Sequence, residues 1–193
     1  MFFHRLCDKY IEIIRSAKLP TEPMAIFEIS TSFRDHMNEL IRDIDFNCVP
    51  VINRKKSSAH SVGLNSVGLL LDRLTILCIR FVKHSDLLDP IEDQKIVEIL
   101  HALNVSSPGL SSVNTKVTIH ESRVSPNSFS DAALGLLLTN TLLWEAQEVL
   151  YMRGADSLPE SELRAYITFF AAENINRNQY IQFTEMLYWK QFE

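Results

Sequence analysis

Apolar residues recur at helical spacing through most of the chain, and the positions where polar residues interrupt that spacing mark where chemistry is to be sought. Leu6, Tyr10, Ile13, Ile14 and Ala17 share one face of a predicted helix over Phe3 to Ala17, which Pro20 and Pro23 close. Phe33, Met37, Leu40, Ile41 and Ile44 form the buried stripe of a second, over Ser32 to Ile44. A connector from Phe46 to His60 follows, with Pro50 and the basic run Arg54, Lys55, Lys56. Val62 to His84 reads as a third, largely buried helix, and Asp89 before Pro90 opens a fourth over Ile91 to Leu103.

Ser, Pro, Asn and Gly then accumulate, so residues 104–130 read as a long loop with an extended piece at Lys116 to His120. Ser130 or Asp131 caps a fifth helix that Gly154 stops after Arg153, and Pro159 opens a sixth that continues to Trp189. So short a link forces the last two helices into an antiparallel hairpin. With Asp156 as its tip, residues whose numbers sum to about 312 lie side by side. These patterns predict a single all-α domain over residues 1–193, a helical bundle of five to six helices with a long carboxyl-terminal antiparallel hairpin packed on the third helix.

The third helix is where pattern and chemistry conflict. Asn65, Ser66, Asp72, Arg73, Arg80, Lys83 and His84 project within about a third of its circumference, while the rest is apolar. Burying an unpaired charge costs several kcal/mol, so these side chains must pair, face water or surround a ligand. The sixth helix adds Asn174, Arg177 and Asn178 at i, i+3 and i+4, a guanidinium between two carboxamides suited to phosphate, carboxylate or a sugar diol.

Composition narrows the alternatives. The net charge of −5, with both signs scattered along the chain, argues against nucleic-acid binding. No apolar run approaches the ~20 residues of a membrane span, and the amino-terminal residues lack a secretion signal, so the location expected is cytoplasmic. Cys7, Cys48 and Cys78 show no metal-ligand spacing, which fits a reducing compartment and predicts no metal site; no cofactor motif occurs either. An apolar face at Phe2, Phe3, Leu6 and Tyr10 is available for a protein partner or homo-oligomer.

Two resemblances follow from short motifs. Glu145-x-x-Glu148 and Glu173-x-x-Asn176 resemble the paired acidic motifs of all-helical nucleoside triphosphate pyrophosphohydrolases, which implies a magnesium-dependent nucleotide or nucleotide-sugar hydrolase with Glu145, Glu148 and Glu173 as ligands. Asn176 stands where that family has an acid, and Glu145 and Glu173 sum to 318, about six residues out of level. Ser66-Val-Gly-Leu-Leu-Leu-Asp72-Arg73-Leu-Thr75-Ile-Leu, with Trp144-Glu145 and Asn174-x-x-Arg177-Asn178, resembles uncharacterised bacterial all-helical families. That likeness covers about half of the chain. It implies a gene context beside glycosyltransferases of surface-polysaccharide synthesis. The function expected is a binding or accessory protein for an anionic or sugar-containing ligand, held by Asp72, Arg73, Arg80, Trp144, Glu145, Asn174, Arg177 and Asn178.

Overall fold

The computed structural model describes residues 2–42, 66–84, 90–104 and 122–191, those at 90–93 and 104 by their backbone alone. Among the described residues the regular structure is all helical: α1 (Phe2–Ser16), α2 (Ile26–Glu28), a π turn (Ile29–Phe33), α3 (Arg34–Arg42), α4 (Val67–Lys83), α5 (Pro90–Asn104), α6 (Phe129–Arg153), a 3-10 turn (Ala155–Ser157) and α7 (Glu160–Lys190). Among the described residues no helix is long and apolar enough to cross a membrane.

α4 is the central element, packed against α1, α5, α6 and α7. Its Leu71, Leu74, Cys78 and Ile79 are fully buried. Against it lies the hairpin of α6 and α7, and α1 closes the other side through Leu6, Tyr10, Ile13 and Ile14, all inaccessible to solvent. Where α1, α6 and α7 converge, Phe2, Phe3, Phe129 and Tyr188 stack with ring centroids 5.0–5.7 Å apart, an arrangement favoured by the aromatic quadrupole. Phe3, Leu6 and Tyr10 of the expected partner face are buried inside the chain, and Phe2 alone of the four is partly accessible.

The predicted helices are present, with corrections at their ends. The second begins earlier than Ser32, at Ile26, and reaches α3 through the π turn. Beside that turn the Phe27 carbonyl accepts from Thr31 Oγ1 at 2.7 Å and Ser30 Oγ at 3.1 Å. Ile29, buried by that turn, belongs to the core with Phe33 and Met37. The third helix starts at Val67 and not at Val62, because Ser66 is extended and its hydroxyl accepts from Leu69 N at 3.3 Å.

α6 is capped by Ser128 and not by Ser130 or Asp131. Ser128 Oγ accepts from Asp131 N at 3.1 Å, and the Asp131 carboxylate reaches back to Asn127 N at 3.1 Å, a reciprocal arrangement related to the capping box. The fourth helix and the stop at Gly154, whose φ is 78°, agree with expectation. Residues 62–65, Ile44, Asp89, Cys48, the basic run at 54–56 and the extended piece at 116–120 lie outside the described residues.

Close approach of backbones sets the bundle's spacing at Gly68, where a Cβ would lie 2.2 Å from the Ile181 carbonyl oxygen of α7. Backbone cannot yield as a flexible side chain would. Gly68→Ala should therefore cost roughly 2–3 kcal/mol, the upper part of the range for overpacked cores, read as a lower urea midpoint at unchanged slope.

Candidate functional site

The polar stripe of α4 resolves into two edges about 100° apart. Asp72 and Lys83 are eleven residues apart, so they return to nearly the same face, and that edge turns inward; Arg73 and Arg80, seven apart, share the next edge and are exposed. The inward edge carries two polar clusters some 16 Å apart along the helix axis.

In the first cluster Asp72, 5% exposed, accepts a two-pronged grip from Arg177 of α7: Nε to Oδ1 at 2.7 Å and Nη2 to Oδ2 at 2.5 Å. From α6, Asn140 Nδ2 donates to the same Oδ1 at 3.0 Å and to Thr75 Oγ1 at 2.6 Å, while Thr75 Oγ1 donates to the Asp72 carbonyl at 2.8 Å. Both carboxylate oxygens are satisfied by charge-assisted bonds, the strong class of hydrogen bond. The hydrogen bond to Asp72 raises Arg177 above its already high pKa, against the opposing effect of burial. Its side chain is nevertheless 30% exposed, so the guanidinium is anchored by Asp72 without the side chain being enclosed.

In the second cluster Lys83, whose side chain is 7% exposed, lies between two carboxylates one turn apart on α6. Its Nζ is 2.7 Å from Glu145 Oε1 and forms a very short bond with Glu148 Oε2, and Trp144 Nε1 donates to Glu148 Oε1 at 2.7 Å. The His84 and Trp144 rings stand 6.3 Å apart at the rim. Burial raises the Glu145 carboxyl above its usual range; Lys83 opposes this and Glu148 reinforces it. Lys83 thus occupies the position between Glu145 and Glu148 where the hydrolase reading places a divalent cation. Among the described residues no group of three His, Cys, Asp or Glu side chains is gathered as metal ligands.

Glu173 faces elsewhere. Its Oε1 accepts from Arg34 of α3 at 2.8 Å and from Asn176 Nδ2 at 3.3 Å. The expected hairpin register also needs correction: the Cβ of an alanine at 135 would lie 2.2 Å from Tyr180 Cε1, and Asn140 and Arg177 meet on one carboxylate. Those pairs sum to 315 and 317, because Gly154 and the 3-10 turn displace the tip from Asp156. Glu145 and Glu173 are consequently close to level along the hairpin; what separates their roles is direction, one toward α4 and the other toward α3.

Of the expected site residues, Asp72 and Arg177 come together, and Trp144 and Glu145 share the second cluster. Arg73 and Arg80 lie on the exposed edge of α4, and exposed Asn174 donates to the Phe170 carbonyl of its own helix at 2.8 Å. Asn178 is half-buried. Sequence reasoning passed over Asn140 and Thr75, although an amide and a hydroxyl on otherwise apolar stretches are the signal for a buried polar joint. Glu185, on the same side of the sixth helix as Asn174 and Arg177 but not among the expected site residues, caps α4: Oε2 accepts from Gly68 N at 2.9 Å, at the helix end that favours anions, while Oε1 accepts from Trp189 Nε1 at 2.6 Å.

Glu145 gives a pH signature with a definite sign. A carboxyl whose pKa is raised on folding binds more protons in the folded chain, so its contribution is fully present below the ordinary value of 4.5 and is lost as pH rises through the raised one. The stability difference between wild type and Glu145→Gln should therefore shift against wild type across that window, as measured by urea unfolding at a series of pH values.

Compared with protein-family models, with curated proteins and with solved structures, the chain matches none.

Proposed function

We propose that the seam between α4, α6 and α7 is a cytoplasmic binding site for a small anionic or sugar-containing ligand, with Arg177 as its principal contact and Asp72 as the residue that positions it. The observation that carries this reading is the half-open guanidinium: Asp72 grips Nε and Nη2 from the buried side while 30% of the Arg177 side chain remains exposed. A guanidinium so fixed has lost its rotamer freedom before a ligand arrives, which lowers the entropic cost of binding. Asn140, itself bonded to Thr75, holds the Asp72 carboxylate in turn, so the donor direction is set by three helices.

The motif resemblance adds surface-polysaccharide synthesis as the context of this reading, which makes nucleotide sugars and sugar phosphates the natural probes. The magnesium-hydrolase reading is weaker because Lys83 already pairs with both Glu145 and Glu148.

The test is a thermal-unfolding screen of wild type and Arg177→Lys against nucleotide sugars and sugar phosphates, each with and without magnesium. Lysine keeps a cation beside Asp72 but cannot present the fork. A ligand at ~100 times its dissociation constant adds ~2.7 kcal/mol, a rise of roughly 5–10 °C for a chain of this size. The shift should occur without magnesium and vanish in the folded Arg177→Lys protein; a shift that needs magnesium, or one that survives in Arg177→Lys, would contradict the proposal.

A further inference from the structure

Two thiols far apart in sequence meet in the core between α1 and α4. Cys7 Sγ lies 3.7 Å from Cys78 Sγ across a separation of 71 residues, with Cys78 inaccessible and Cys7 4% exposed. Both are free. A disulfide needs sulfurs about 2.05 Å apart, so closure requires roughly 1.7 Å of approach, shared between two side chains that already face one another. Neither thiol belongs to the polar seam described above.

We propose that Cys7 and Cys78 form a redox-modification site, at which a peroxide closes a disulfide that staples α1 to α4. The Cys7 thiolate attacks one peroxide oxygen, the O–O bond breaks, and Cys7 becomes a sulfenic acid while the departing hydroxide takes a proton and leaves as water. The Cys78 sulfur then attacks the Cys7 sulfur; the S–O bond breaks, the S–S bond forms, and the Cys78 proton leaves with the hydroxyl as a second water. Two thiols lose two electrons in total, and one peroxide is reduced to two waters.

The order of events follows from the pair's asymmetry. Their contact holds the Cys7 thiol below its usual range, against burial and the nearby Asp8 carboxylate, and with burial it pushes Cys78 well up. Cys7, 4% exposed where Cys78 is inaccessible, is the thiol that a peroxide reaches, and so the one that attacks. Tyr10, one helical turn further along α1, is pushed up by burial and by both thiols, and so remains a neutral phenol that donates to the Ala133 carbonyl at 3.0 Å.

The staple would fasten α1 to the helix that carries Asp72 and Thr75, closing a loop of about 70 residues whose denatured-state entropy falls accordingly. The full chain is treated with millimolar hydrogen peroxide, quenched, denatured in the presence of an alkylating reagent, digested and mapped by mass spectrometry. The expected product is a linked Cys7–Cys78 peptide, lighter by two hydrogens than its thiol parts and lost on reduction. It should be accompanied by a reversible rise in Tm of roughly 5–10 °C. Cys48→Ser should form the same link at the same rate, and Cys78→Ala should leave Cys7 as a sulfenic acid that dimedone captures. Alkylated, unlinked Cys7 and Cys78 after oxidation, or a link that joins either to Cys48, would overturn the proposal, and the wild-type map decides this even where a variant fails to fold.

Discussion

The grip of Arg177 on Asp72 is the contact on which the bundle's arrangement depends. Asp72 sits on the inward edge of the central helix, and without a partner its carboxylate would be the kind of buried charge a core cannot hold. The guanidinium that neutralises it comes from α7, while the carboxamide that completes its hydrogen bonding comes from α6. A fork accepts a carboxylate in one plane and at one distance, so the contact fixes the rotation and height of α7 against α4. Apolar packing alone tolerates sliding; this contact does not.

Two further polar joints repeat the principle along the seam. Lys83 on α4 is held by Glu145 and Glu148 of α6, and the amino end of α4 is held by Glu185 of α7. The positions run in opposite orders along the two partners: from Gly68 to Asp72 the contacts on α7 descend from Glu185 to Arg177, whereas from Asp72 to Lys83 those on α6 ascend from Asn140 to Glu148. α4 is thus antiparallel to α7 and parallel to α6, and the polar contacts specify that topology. Buried ion pairs add little net stability over well-packed apolar groups, but breaking one leaves a charge stranded. Each joint ties one position of α4 to one position of its partner helix, so a shift in register would break all three.

Much of this was legible in the sequence. Helical periodicity at Leu6, Tyr10, Ile13 and Ile14, the stop at Gly154 and the start at Pro159 are local signals, and they place α1 and α7 to within a residue and the end of α6 at Arg153. Asp72 and Arg177 stood out because each breaks an apolar or patterned stretch. Their pairing was not visible, since it depends on how two helices 105 residues apart rotate against one another. A tip at Asp156 puts the hairpin register about four residues short, because the 3-10 turn from Ala155 to Ser157 shifts it. Ser128 was missed as a cap because Ser130 and Asp131 offered the same chemistry two and three residues later, and only backbone geometry separates them. The exposed edge at Arg73 and Arg80 and the buried edge at Asp72 and Lys83 differ by one residue's rotation, which composition cannot resolve.

The central claim is that Asp72 and Arg177 act as one joint. It is tested most directly by a double-mutant cycle of Asp72→Ala and Arg177→Ala, with unfolding free energies from urea titration. Each single variant should be clearly destabilised, the double variant should be little worse than either, and the coupling energy should be roughly 2 kcal/mol. Additive losses, with a coupling near zero, would mean that the fork is incidental and that apolar packing alone sets the arrangement of α4, α6 and α7.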